Sequence, residues 1–322
     1  MNYLVTGGAG FIGSNIVEFL LKRGDNVRVL DNFMTGKRSN LSLPIPKEME
    51  TMEGDIRDPE TCRKAVEGTD HILHLAALGS VPRSVEDPLL TNEINITGTL
   101  NLLMAARNGR VKRFIYASSS SVYGDQPVDR TSGEAEKPSA KAETMTPNPL
   151  SPYALSKLTG EIYCRLFHRL YGLETVSLRF FNVFGPRQDP DSQYAAVIPR
   201  FIKSLLQNER PVIYGDGKQS RDFTFVADVV RACLLACTAP PEAAGQVFNT
   251  AAGSRFTLLE LLNELKSITG KDVEAVFEEP RKGDVRHSMA DITLARKYLG
   301  FEPQVSFRNG LEKTVSWFRT QF

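Results

Sequence analysis

Tyr153 and Lys157 stand four positions apart, so on a helix they share one face and reach one cleft. An ammonium beside a phenol stabilises the phenolate and lowers its pKa from about 10, which makes a base of the tyrosine. Upstream, the run Ser118-Ser119-Ser120-Ser121 follows a strand-like stretch at its carboxyl end, where open α/β sheets bind their ligands. A third cluster opens the chain: Thr6-Gly7-Gly8-Ala9-Gly10-Phe11-Ile12-Gly13. Gly7 permits a tight turn, Gly10 lets backbone approach a pyrophosphate, and Gly13 lets a helix pack on a strand. Amides at the start of that helix then bind phosphate. Asp31 ends the next strand-like run, where an acid accepts hydrogen bonds from an adenosine ribose and repels a 2′-phosphate. NAD is therefore expected over NADP, although Lys37 and Arg38 lie just downstream, within reach of such a phosphate.

These residues need a sheet and helices to bring them together, and the first half of the chain supplies the pattern. Short aliphatic or β-branched runs at Tyr3 to Thr6, Asn26 to Leu30, His71 to Ala76, Arg113 to Ala117 and Thr175 to Phe180 alternate with helical patterns near 11–23, 59–67, 88–108 and 152–171. That alternation predicts an α/β fold: a doubly wound parallel sheet of the Rossmann type. Ser151 and Pro152 suit the N-cap and first position of the last helix. From about residue 182 the elements shorten and prolines multiply, which predicts a second, smaller α/β lobe. We divide the chain into 1–181 and 182–322, with segments of the second interleaved with the first. The stretch from Asp125 to Pro149 is polar and aperiodic and reads as a long surface loop.

Composition narrows the function classes. Apolar residues at 41% and charged residues at 24% fit a globular chain and exclude a disordered or fibrous one. Lysine and arginine number 39 against 38 acids, so no global field draws the chain to nucleic acid or an anionic membrane. Cys62, Cys164, Cys233 and Cys237 form no CxxC pair, and His71, His74, His168 and His287 are scattered, so no metal site is expected. The chain opens without a basic or apolar leader pattern, and its apolar runs fall short of the roughly 18 residues of a membrane helix. A cytoplasmic protein is expected.

Taken together, these motifs resemble the extended short-chain dehydrogenase/reductases, in the NAD-dependent epimerase/dehydratase branch. The resemblance covers nearly the whole chain and rests on TGGAGFIG at 6–13, Asp55-Ile56, HLAA at 74–77, Asn95, SSSSVYG at 118–124, YALSK at 153–157 and LRFFNVFGPRQ at 178–188. It implies that Tyr153 is the base, that Lys157 holds the nicotinamide ribose and tunes Tyr153, and that Ser119 hydrogen-bonds the reacting sugar hydroxyl. It also implies an NAD site built from Gly7, Gly10, Phe11, Ile12, Gly13, Asp31 and Asn32, with Asp55 and Ile56 on the adenine. Leu75, Ala76, Ala77 and Asn95 would line the cofactor. A homodimer through helices 88–108 and 152–171 is implied as well.

Dehydratases and decarboxylases of this branch carry carboxylates just after the catalytic serine or threonine, and here Ser120 and Ser121 stand in those places. The resemblance therefore points to 4-epimerisation of a nucleotide sugar, with Ser119, Ser120, Asn182, Arg221 and Arg281 as ligands of a UDP-sugar. Two guanidinium groups suit a diphosphate because each presents a planar donor fork. Ser288 falls where enzymes restricted to UDP-glucose place a bulky tyrosine, and Ala195 and Ala196 where they tend to carry asparagines. Small residues leave room for a 2-acetamido group, so use of both UDP-Glc/UDP-Gal and UDP-GlcNAc/UDP-GalNAc is expected. A UDP-glucuronate 4-epimerase is the enzymatic alternative, and a non-catalytic NAD-binding sensor the remote one. The 125–149 stretch is longer than the family norm.

Overall fold

Strands buried on both sides must be apolar throughout, and that requirement explains the first half of the chain. The computed structural model describes residues 1–41, 48–125, 140–192, 195–280 and 286–321. In chain order the first half runs β1 (Asn2–Thr6), α1 (Phe11–Lys22), β2 (Asn26–Asp31), β3 (Met49–Glu53), α2 (Pro59–Val66) and β4 (His71–His74). Two short helices, α3 (Val81–Glu86) and α4 (Pro88–Asn92), lead through a π-helical turn at Glu93–Gly98 into α5 (Thr99–Asn108). Then follow β5 (Arg113–Ser119), α6 (Pro152–Tyr171) and β6 (Thr175–Phe180).

The main sheet has seven parallel strands, in the order β11-β6-β5-β4-β1-β2-β3, where β11 is Gln246–Thr250. The order reverses between β1 and β4, which opens a crevice at their carboxyl ends. Alternate side chains feed two cores: Tyr3, Val5 and Ile115 pack with α1 and α8 (Val226–Thr238), while Leu4, Ile72 and Phe114 pack with α2, α5 and α6. This is the expected doubly wound α/β fold. β11 comes from beyond residue 182 and pairs with β6 at the edge of the sheet.

The rest of the second half is built from short strands and helices around its own core. β7 (Val183–Phe184) pairs with β10 (Thr224–Phe225), β8 (Val212–Tyr214) with a later strand at Val276–Glu278, and β9 (Ser220–Arg221) with a strand at Phe256–Thr257. Helices α7 (Val197–Leu206), α9 (Leu258–Thr269) and, beyond α10 (Thr293–Leu299), α11 (Phe307–Arg319) enclose an aromatic cluster in which Phe184 meets Phe223, Phe225 and Phe307.

The expected surface loop at 125–149 needs correcting at its returning end; residues 126–139 lie outside the described residues. Lys141 is 7% exposed and pairs with Ala290, its N–H donating to Met289 O at 2.8 Å. Glu143 accepts the Asn249 N–H at 2.7 Å, and the Asn249 side chain donates to the carbonyls of Lys141 and Asp291. Polar composition hid this because its polar groups are satisfied inside the fold.

Candidate active site

The glycine loop is shaped by approaches that no side chain tolerates. A Cβ on Gly13 would lie 2.2 Å from Gly7 O, and one on Gly7 would lie 2.7 Å from Ala76 N; Gly7 also has φ +68°. Gly10 starts α1 and no side chain caps it, so the first amides of the helix face the crevice unclaimed by a side chain. The crevice is a cleft of about 760 Å³. Gly7, Gly10, Phe11, Ile12 and Gly13 line it, together with Asp31, Asn32, Asp55, Ile56, Leu75, Ala76 and Ala77. Tyr153 and Lys157 close it, and Ala195 and Ala196, expected on the sugar, line it too.

Asn95 is placed differently. It is 1% exposed, its Oδ1 accepts the Leu78 N–H at 2.8 Å, and its amide donates to Leu78 O and to Ser156 Oγ. Ser156 in turn donates to Tyr153 O at 2.8 Å. Asn95 thus braces the Leu78 segment against helix α6 (Pro152–Tyr171) and is not among the residues lining the cleft, and its place in the π-helical turn aims it there.

The acids that line the cleft are set by neighbouring backbone and side chains. Asp31 accepts the Ala9 N–H at 2.9 Å on one oxygen and the Phe33 N–H at 2.8 Å on the other, and each oxygen keeps a lone pair for a hydroxyl. Lys37 pairs with Asp189 at 2.9 Å, and Arg38 pairs with Glu53 and covers the Phe33 ring. Both cations that could have greeted a 2′-phosphate are therefore engaged with carboxylates. Asp55 is pulled down to about 2, chiefly by the Arg57 side chain.

Helix α6 carries Tyr153 and Lys157. Ser151 caps it by accepting the Ala154 N–H at 3.1 Å, and Pro152 occupies its first turn, as the sequence predicts. That start puts Tyr153 at the helix mouth and Lys157 one turn deeper. The Lys157 ammonium donates to Ala117 O at 2.7 Å and lies 5.1 Å from the Tyr116 ring centroid and 6.0 Å from that of Tyr153. Burial pushes Lys157 down to about 8. Tyr153 differs from expectation: burial raises its pKa and outweighs the downward pull of its hydrogen bond with Ser119. Both members of the pair resist charging alone, because a desolvated ion is costly until its partner is charged too.

Behind Ser119 lies a charged network that the sequence did not reveal. Arg179 donates to Glu161 at 2.9 and 2.7 Å, Ser118 donates to the same carboxylate, and Arg179 covers the Tyr123 ring. Both ionic side chains are at most 3% exposed. Glu161 falls one turn beyond Lys157 on α6, and that spacing was the available signal.

In the second half, Ser288 is 7% exposed and its N–H donates to Ser220 O at 3.0 Å, which sets it beside Arg221. Arg221 donates to Ser220 O and Arg286 O. Asn182 has φ +32° and its side chain donates to Asp222 O at 3.0 Å. Ser120 is half-buried at the start of the turn that follows β5. Arg281 lies outside the described residues. Asp222, which the sequence reading passed over beside Arg221, is fully buried and pushed up to about 7 by that burial.

A family model described as the NAD dependent epimerase/dehydratase family matches residues 3–251. The chain belongs to that family. Among its relatives, a putative UDP-glucose 4-epimerase of Methanocaldococcus jannaschii is 39% identical over 98% of each chain. The UDP-glucose 4-epimerase of Thermotoga maritima, solved with UDP-glucose, is 41% identical with a TM-score of 0.91, over 100% of this chain and 99% of that one. A UDP-N-acetylglucosamine 4-epimerase from Methanobrevibacter ruminantium M1, in complex with UDP-N-acetylmuramic acid, is 40% identical at the same TM-score and coverage.

NAD is the cofactor of this epimerase/dehydratase family member, and the cleft fits it. The glycine contacts leave room only for a backbone-lined phosphate site, the uncapped amides of α1 suit a pyrophosphate, and Asp31 suits a ribose diol. All four cysteines are buried free thiols, and among the described residues no cluster of three or more His, Cys, Asp or Glu could hold a metal.

Proposed function

We propose that this family member is a UDP-hexose 4-epimerase that interconverts UDP-GlcNAc with UDP-GalNAc and UDP-Glc with UDP-Gal. One observation carries the reading: Tyr153 reaches the dinucleotide cleft with Ser119 hydrogen-bonded to it and the Lys157 ammonium behind it. Tyr153 Oη takes the proton of the sugar 4-hydroxyl and later gives it back. Ser119 Oγ orients that hydroxyl. Lys157 and the phenolate offset each other's burial, so neither carries an isolated charge. NAD held by the glycine loop and Asp31 would supply a reversible hydride acceptor for C4, so that the sugar is epimerised with no net redox change. Ser120 and Ser121 offer no carboxylate for elimination, which favours epimerisation over dehydration.

Arg221, Arg281 and Asn182 are assigned to the UDP moiety and sugar. Ser288, small and buried beside Arg221, is assigned to the 2-acetamido space. A homodimer is proposed through α4, α5 and α6, where Leu89, Met104, Leu155, Ile162, Leu166 and Leu170 are exposed. No helix among the described residues is long and apolar enough to cross a membrane.

The test is to incubate the protein separately with UDP-Glc, UDP-Gal, UDP-GlcNAc, UDP-GalNAc and UDP-GlcA and to resolve the products chromatographically. Interconversion within the acetylated and plain pairs is expected. Turnover of UDP-GlcA alone would make it a uronate epimerase, and no interconversion at all would end the epimerase reading.

A further inference from the structure

We infer that Asp222 is the positioning residue of the sugar-nucleotide pocket: it fixes Asn182, Arg221 and Ser288 relative to one another and so governs substrate affinity more than the chemical step. The inference rests on the UDP-sugar reading above.

Asp222 is 0% exposed and its two oxygens point to different loops. Oδ1 accepts the Ala252 N–H at 3.0 Å, just past β11, and Oδ2 accepts the Ala290 N–H at 3.1 Å, two residues beyond Ser288. Amides of Gly253 and Ser254 add to the set. The backbone carbonyl of the same residue accepts the Asn182 side chain at 3.0 Å. Asn182 sits in left-handed backbone, a conformation that a non-glycine residue holds only where its surroundings fix it. Ser288 is tied at its own N–H to Ser220 O and, through Ala290, to Asp222. Arg221 lies between Ser220 and Asp222 in sequence. Asp222 therefore touches Asn182 through its carbonyl, ties the Ser288 segment to residues 252–254 through its side chain, and adjoins Arg221 in sequence. A carboxylate offers acceptors in two directions with no donor between them; an amide would turn an NH₂ group toward one set of N–H donors.

Asp228 supplies the comparison. It is 2% exposed and accepts the N–H groups of Gln304 and Val305 at 2.9 and 3.2 Å, the same chemistry applied to the segment before α11 and to none of the three pocket residues.

The experiment measures kcat, KM and bound NAD for Asp222→Asn and Asp228→Asn beside the wild type, with UDP-GlcNAc and UDP-Glc. Asp222→Asn is expected to raise KM about tenfold or more, the loss of a hydrogen bond to a charged group, with kcat within about threefold and NAD content unchanged. Asp228→Asn is expected to keep the wild-type KM. A folded Asp222→Asn with wild-type KM, a fall in kcat without a rise in KM, or an equal KM rise in both variants would overturn the inference. Hydrogen exchange on the wild-type holoenzyme gives a second measurement should Asp222→Asn not fold. Adding UDP is expected to protect peptides spanning 250–254 and 286–291 together, and protection of the second alone would overturn the coupling. If the wild type turns over no UDP-sugar, the epimerase reading fails by itself, and the exchange result with UDP still decides the role of Asp222.

Discussion

The glycine loop and the segments gathered around Asp222 are held by different physics. Around the dinucleotide the chain is fixed by exclusion: a Cβ on Gly7 or Gly13 would run into backbone, and backbone cannot move aside cheaply. Around Asp222 and Asn249 it is fixed by acceptance. Asp222, Glu143 and the carbonyls around Asn249 each hold an amide from a distant stretch. Steric walls fail all at once when a side chain is added, whereas buried acceptors fail by degrees and titrate. The first half should therefore show abrupt losses and the second graded ones.

The harshest test of that contrast is Gly13→Ala. Its Cβ would sit 2.2 Å from Gly7 O, so the loop must open and the phosphate site with it. Bound NAD, read by absorbance after denaturation, should vanish along with turnover; a variant that keeps stoichiometric NAD would show that the loop is softer than its contacts imply. Tyr153→Phe should come next. It removes only the proton-carrying oxygen, so NAD should stay bound while turnover falls about 10²- to 10⁴-fold. Retention of more than a tenth of the rate would take Tyr153 out of the base role.

The same division explains what the sequence made legible. Glycine spacing, the Ser151-Pro152 helix start and the Tyr153/Lys157 interval are local, and the structure keeps each of them. β3 escaped because its side chains are mostly exposed and its run, Met49–Glu53, carries acids that mask a strand pattern. β11 escaped because a five-residue strand amid short elements gives no sign that it will join a sheet whose other strands precede residue 182. Asn95 was given to the cofactor, yet its neighbours Leu78 and Ser156 are distant in sequence. Asp222 and Lys141 escaped because burial of a charged side chain is decided by partners that only the fold brings near.

Ser288→Tyr probes the segments around Asp222 with a smaller effect. A phenol in place of a hydroxymethyl group should fill the space assigned to the acetamido group. kcat/KM for UDP-GlcNAc should fall about tenfold or more relative to that for UDP-Glc. Equal losses on both substrates would mean that this buried position carries the pocket wall without measuring its occupant.

The gentlest effect is a pH dependence that only a buried acceptor can show. Asp222 has its pKa pushed up to about 7 by burial, against an ordinary value of 3.8 in the unfolded chain. Between those values the folded chain binds a proton that the unfolded chain does not. The stability this group contributes is therefore fully present below pH 3.8 and is lost as pH rises through about 7. One proton gives a slope of at most about 1.4 kcal/mol per pH unit in that window. Asp222→Asn cannot titrate. The difference between wild-type and variant unfolding free energies, measured in urea from pH 5 to pH 8, should fall with rising pH and level off above 7. Lys157 and Lys141, both lowered to about 8, titrate above most of that range and are common to both proteins, so they drop out of the difference. A difference that stays flat across the series would mean that the amides of Ala252 and Ala290 hold Asp222 ionised throughout, and that the segments it joins are as rigidly set as the glycine loop.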